Sequence, residues 1–131
     1  MCHTYGNIRM TLQQLYHKIW MERERVSFLT GEPLEYTYST WLNMFSHCIS
    51  KGKFKKFAFK EENICLLQPI EHHLFDNGSD SQREKYKEEM AEKGIVVDWN
   101  KLFELEKKLW HQYKELDPSC HVIWRCVERD K

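Results

Sequence analysis

The chain is 131 residues long, 41% hydrophobic and 14% aromatic, enough apolar material for one modest core and too much for a disordered polypeptide. Lysine plus arginine equals aspartate plus glutamate at 20 each, so net charge gives no general pull toward nucleic acid, and phosphate binding would need local clustering. No apolar run is long enough to span a bilayer and the N-terminus lacks a signal-peptide pattern; the expectation is one soluble, cytoplasmic domain over residues 1–131 with no membrane partner.

Residues 1–7 lack periodicity and read as a loose or docked arm. From there Ile8, Leu12, Leu15, Tyr16, Ile19 and Trp20 follow three-four spacing, which predicts a core-packing helix over about 8–24 with His17 at its boundary. Arg25 to Leu29 is a short strand candidate, and Thr30-Gly31-Glu32-Pro33 a turn. Trp41 to Ile49 is apolar and β-prone and should lead into a hairpin, with Ser50 to Lys53 as its loop and Gly52 free to take positive φ. Phe57 to Phe59 and Ile64 to Leu67 read as extended segments around a Glu-Glu-Asn turn. After a turn at Pro69, His72 to Asp76 looks helical, with Asn77-Gly78 as a left-handed C-cap.

Ser79 or Asp80 can cap a highly charged helix over about 81–93 that Gly94 stops, solvated on most sides with Tyr86 and Met90 facing inward. Ile95 to Val97 is a brief extended linker. Asp98 then caps an amphipathic helix over about 99–115 with Leu102, Leu105, Leu109 and Tyr113 on one face. The tail Cys120 to Val127 is β-prone and predicts a further strand. The five cysteines (2, 48, 65, 120 and 126) have no CxxC spacing and read as free, mostly buried thiols. Cys2-His3 and Cys120-His121 lack a standard zinc spacing.

The residues that suggest chemistry fall within 44–76. His72 and Asp76 lie four apart, so on a helix they share a face, and an imidazole beside a carboxylate can hold a divalent cation. His47, upstream and close to lysines, could act as a base beside that cation. Residues 51–60 hold five lysines and no acid, alternating with Phe54, Phe57 and Phe59, a pattern suited to a phosphate backbone. Taken singly, each feature has a bland reading: a boundary histidine, an amphipathic strand, surface decoration.

Taken in order, the pieces resemble the HNH nuclease family: His47 for the first H, Asn63 for the N, and His72, nine residues after Asn63, for the last H. The likeness is greatest to the small HNH proteins of phages. It rests on Thr30-Gly31-Glu32-Pro33-Leu34, the His47 to Gly52 segment with its Ser50-Lys51-Gly52, Asn63 to Leu67, and His72 to Gly78, and it covers about residues 23–115. The resemblance implies an α+β fold, with a ββα-metal core of hairpin plus helix at about 25–78 and further N- and C-terminal helices packed around it. His47 would be the general base. Asn63 would either join the metal shell or bond across the hairpin loop to orient that base. His72 and Asp76 would hold the metal, with Lys51, Lys53, Lys55, Lys56 and His73 against DNA. The cofactor would be a divalent ion, Mg²⁺ first, with Mn²⁺, Ni²⁺ or Zn²⁺ as alternatives, and the setting the host bacterial cytoplasm.

Two departures from the family pattern stand out. Relatives often carry a zinc-binding CxxC pair where this chain has Ser27-Phe28-Leu29-Thr30, with a partner pair where it has Gln68 and Glu71. No structural zinc is therefore expected, and packing by aromatics such as Phe28 and Trp41 should replace it. Active relatives also often place Asp, Glu or His immediately before the base, where this chain has Ser46, so another acid such as Glu71 could complete the metal shell. These departures motivate a rival reading, a catalytically degenerate HNH scaffold that binds DNA or a host protein, for instance to inhibit a host defence system.

Overall fold

The computed structural model describes residues 4–5, 8–49 and 57–116. Two short strands, β1 (Thr4–Tyr5) and β2 (Ile8–Arg9), pair antiparallel with Thr4 opposite Arg9. The expected helix therefore starts not at Ile8 but at Leu12, and α1 runs Leu12–Glu22. Thr11 sets that boundary. Its hydroxyl accepts from Gln14 N at 3.1 Å, while Gln14 Oε1 accepts from Thr11 N at 2.9 Å, a reciprocal cap that satisfies two donors at the helix start.

Residues 25–29 do not form the expected strand. The chain makes an isolated bridge, Val26 to Pro33, and folds back tightly, with Ser27 N on Glu32 O at 2.9 Å and Gly31 N on Ser27 O at 2.8 Å. Gly31, at φ +76°, supplies the left-handed residue that closes this loop.

The central hairpin pairs β3 (Phe45–His47) with β4 (Ile64–Leu66), antiparallel, with Ser46 opposite Cys65 and His47 opposite Ile64. Hydrogen bonds from Leu67 N to Met44 O and from Cys48 N to Asn63 O extend the ladder at both ends. Phe57 to Phe59, expected to be extended, form a turn instead: Phe57 stacks on Tyr113 with ring centroids 4.2 Å apart, and this tertiary contact overrides local β propensity. The predicted turn at Glu61–Asn63 is present as a single 3-10 turn.

After β4 comes α2 (Pro69–Asn77). Pro69 opens this helix rather than a separate turn, because its missing N–H is one that a first-turn residue would leave unbonded anyway. The helix closes on Gly78 at φ −80°, in extended backbone, not the expected left-handed cap. Glycine is required there by contact: a Cβ would lie 2.6 Å from Leu74 O. Next, α3 (Asp80–Glu92) is capped reciprocally by Ser79 and Gln82, and α4 (Trp99–Leu116) starts with Asp98 Oδ1 accepting from Lys101 N at 3.2 Å.

Among the described residues the fold is α+β, four helices around this hairpin, whose side chains alternate between two apolar cores. Phe45, Ile64 and Leu66 pack with Leu15, Tyr16, Ile19 and Trp20 of α1. Cys48, Cys65 and Leu67 pack with Leu74 and Phe75 of α2 and Leu102, Leu109 and Tyr113 of α4. Helix α3 is more than a solvated rod. Its Arg83 is buried and donates to Leu74 O at 2.8 Å and Gly78 O at 2.7 Å, joining the carbonyls at the end of α2. Among the described residues no helix is long and apolar enough to cross a membrane.

Candidate metal and base site

The i,i+4 spacing on α2 brings His72 Nε2 within 3.0 Å of Asp76 Oδ2. The other ring nitrogen, Nδ1, stands 2.7 Å from the carbonyl of Asn43. A carbonyl can only accept, so Nδ1 carries the hydrogen, and in neutral His72 the lone pair lies on Nε2, facing the carboxylate. Two acceptors this close need something positive between them, either a proton on the ring or a cation. Two adjacent ligands of an octahedral ion, each at about 2.1 Å, stand about 3.0 Å apart, so the observed separation fits a shared hard cation. A ring N–H anchored on a backbone carbonyl is also the usual support of a metal-binding imidazole.

The pair opens onto a recess of about 350 Å³ that Asn43, Pro69, His73 and Asn77 also line. His73 is exposed on its wall. Among the described residues no group of three or more His, Cys, Asp or Glu forms a metal cluster. Two protein donors with the remaining positions left to water suit a six-coordinate divalent ion; the carboxylate fits Mg²⁺ and Mn²⁺, while the imidazole favours a transition metal such as Mn²⁺ or Ni²⁺ over Mg²⁺. They do not suit a closed four-ligand zinc site.

His47 ends β3, largely buried, with its ring edge toward Tyr16. Its Nε2 is 2.8 Å from Ala58 O, which by the same reasoning makes Nε2 the donor and puts the lone pair of the neutral ring on Nδ1. Asn63 lies beside it. Its Oδ1 accepts from Ile49 N at 2.7 Å and its Nδ2 donates to Ile49 O at 3.0 Å. Both amide atoms thus bond across the loop that follows His47, the geometry expected of the loop-bonding role, and the side chain is buried. The structure brings His72 and Asp76 together on the helix that the hairpin leads into, whereas His47 and Asn63, both near the point where the hairpin opens into its loop, bond to different backbone segments, Ala58 and Ile49. Lys51, Lys53, Lys55 and Lys56, the Gly52 turn, Cys2-His3 and the 120–127 segment lie outside the described residues.

Glu71 does not serve as the extra metal acid. It is fully buried, and its Oε1 accepts from Ser27 Oγ at 2.7 Å and Gln68 N at 2.8 Å, while Oε2 accepts from Tyr86 OH at 2.8 Å. Burial, reinforced by this carboxylate, pushes the Tyr86 phenol well above its ordinary range. Ser27 and Glu71 are two of the four positions (27, 30, 68 and 71) where the resemblance implies zinc cysteines, and a polar clamp joins them, not the expected aromatic packing. Phe28 is only partly buried, and Trp41 belongs to the opposite core. Ser46, opposite Cys65, is fully buried with its Oγ lacking a hydrogen-bond partner among the described residues, and lies away from the recess wall.

Comparison of the chain with protein families, curated proteins and solved structures found no match.

Proposed function

We propose that this protein is a divalent-metal-dependent endonuclease of the HNH type, which nicks or cuts DNA by hydrolysing phosphodiester bonds. The observation that carries the reading is the His72–Asp76 pair, 3.0 Å apart with its imidazole locked on Asn43 O, on the helix that directly follows an antiparallel hairpin bearing His47. In this reading the hairpin and α2 form a ββα-metal core, and the likeness of its sequence segments to small phage proteins makes phage origin, and action in a bacterial cytoplasm, part of the proposal.

His47 takes a proton from the attacking water through Nδ1, while the Ala58 carbonyl holds the opposite ring nitrogen and so fixes the tautomer. Asn63 keeps the loop beyond His47 closed on Ile49, which orients the base. His72 and Asp76 hold the cation. A bound divalent ion supplies positive charge for the phosphate and for the departing 3′ oxygen. Lys51, Lys53, Lys55 and Lys56, with His73, contact the DNA backbone without reading sequence.

Supercoiled plasmid incubated with Mg²⁺, Mn²⁺ or Ni²⁺ tests this. Wild type nicks, and His47→Ala slows nicking by about 10²–10⁴-fold, the ordinary contribution of a positioned base. Equal behaviour of the two proteins in every metal overturns the proposal. One observation favours a second reading, a retired scaffold that binds DNA or a host protein: the residue before His47 is the buried Ser46, not a ligand. DNA binding that survives both His47→Ala and His72→Ala, with no cleavage by wild type, supports that reading.

A further inference from the structure

A second feature is independent of the metal pair. Between the 26–31 loop, β4 and the first turns of α4 lies a recess of about 720 Å³, and Cys65 is on its wall. Cys65 in β4 and Cys48, the residue that follows β3, face the same core; both are buried and neither is in a disulfide. Because Ser46 is opposite Cys65 and Cys48 N bonds Asn63 O, the two cysteines are diagonal neighbours. Arg23 and Lys101 also line the recess, as do Glu62 and Asp98. With Glu24 also on it, the wall carries three acids against two bases, which disfavours an anionic reagent and leaves a small neutral one the better fit.

We infer that Cys65 and Cys48 form an oxidisable dithiol, with Cys65 meeting a small neutral hydroperoxide through the recess and Cys48 resolving it to a disulfide. The neighbouring Cys48 thiol, together with Arg23 and Lys101, draws the Cys65 thiol below its ordinary range against the opposing push of burial, while Cys48 Sγ itself lies 3.9 Å from Leu102 O. The Cys65 thiolate attacks one peroxide oxygen. The O–O bond breaks, the other oxygen leaves with a proton as water or alcohol, and the sulfur, oxidised by two electrons, becomes a sulfenic acid. Cys48 sulfur then attacks Cys65 sulfur; the S–S bond forms, the S–O bond breaks, and the hydroxide leaves as water with the Cys48 proton.

Closure has a structural consequence. Diagonal partners in an antiparallel pair stand about 7–8 Å apart at Cα, slightly more than a relaxed disulfide spans, so the bond must draw Cys48 along β3. That movement strains Cys48 N to Asn63 O and the Asn63 bonds to Ile49, one and two residues beyond His47.

The full chain is treated with hydrogen peroxide, the free thiols are then blocked, and peptides are read by mass spectrometry. A Cys48–Cys65 disulfide is expected in wild type, and in Cys48→Ala a dimedone-trapped sulfenic acid at Cys65. Circular dichroism confirms that this variant is folded; should it not fold, Cys48→Ser takes its place. Lys101→Met slows loss of the free Cys65 thiol several-fold. Peroxide-treated wild type without a Cys48–Cys65 disulfide, or with Cys65 joined instead to Cys2, Cys120 or Cys126, overturns the inference. So does a folded Cys48 variant whose Cys65 traps no dimedone.

Discussion

Two carboxylates on α2, Glu71 and Asp76, stand in opposite surroundings. Glu71 is fully buried and receives Ser27 Oγ, Gln68 N and Tyr86 OH, so three donors share its two oxygens. The Asp76 side chain is 39% exposed and faces the Nε2 of His72 across 3.0 Å, on a ring already fastened elsewhere. Once a buried anion has its donors it can only hold parts of the protein together, here the 26–33 loop, α2 and α3. An exposed anion beside an acceptor nitrogen keeps coordination capacity for a cation. Neighbouring turns of one helix therefore divide between an acid whose donors hold the fold together and one that the proposed function assigns to a cation.

The sharpest way to break that contrast is to remove the buried acid. Glu71→Ala takes the acceptor from the Ser27 hydroxyl, Gln68 N–H and the Tyr86 hydroxyl and leaves a cavity, and should cost about 3–5 kcal/mol in urea unfolding. Glu71→Gln keeps the volume and one acceptor, and the two hydroxyls can rotate to suit it, so it should cost about 1–2 kcal/mol. If Glu71→Ala melts with wild type, the clamp is not structural and the comparison fails. Arg83→Met examines the opposite end of the same helix. It leaves Leu74 O and Gly78 O without their shared cation and removes the contact of Arg83 with the Phe103 ring, 5.5 Å away; the loss should be about 2–3 kcal/mol in the same assay.

Tyr86→Phe removes one donor from Glu71 and should cost about 1–2 kcal/mol at neutral pH. It also has a pH signature. The folded state holds the Tyr86 phenol above its ordinary value near 10, through burial first and the Glu71 carboxylate second. The unfolded chain then loses this proton earlier, so the stabilisation is intact below pH 10 and falls as pH rises above it. Tyr16 and Tyr113, also raised mainly by burial, share that fall, and Tyr86→Phe should flatten it in part. Urea midpoints between pH 8 and about 11 measure the difference; an unchanged slope would show that Tyr86 is not held in its neutral form.

The sequence carried the exposed half of this contrast and hid the buried half. His72 and Asp76 were legible because an i,i+4 pair needs only a helix, and the amphipathic face of α4 was legible for the same reason. The true start of α1 was also readable, since Thr11 and Gln14 have the spacing of a reciprocal cap, and the apolar periodicity from Ile8 outweighed that signal wrongly. Arg83 falls three and seven residues before Tyr86 and Met90, so it shares their inward stripe; reading every charge as solvated concealed it. The Glu71 clamp could not be found this way. Ser27 is 44 residues from Glu71, and only the folded chain brings the loop and α3 to the helix start. The turn at Phe57 likewise depends on a ring in α4.

The smallest effect on stability should come from the pair that carries the proposed function. In chelator, His72→Ala and Asp76→Asn remove a half-exposed interaction, and each should shift unfolding by less than about 1 kcal/mol. Asp76→Asn is the cleaner change, because the amide keeps the shape and loses the anion that a hard cation requires. Added Mn²⁺ should then separate the proteins: a ligand that binds only the folded state at 100 times its Kd stabilises by about 2.7 kcal/mol. Wild type should gain this, and both variants should lose most of it, while Glu71→Gln, weakened in chelator, should keep its gain. A Mn²⁺ gain that persists in Asp76→Asn would place the cation elsewhere. A large loss for that variant in chelator would make Asp76 a second structural acid, and the division of labour along α2 would disappear.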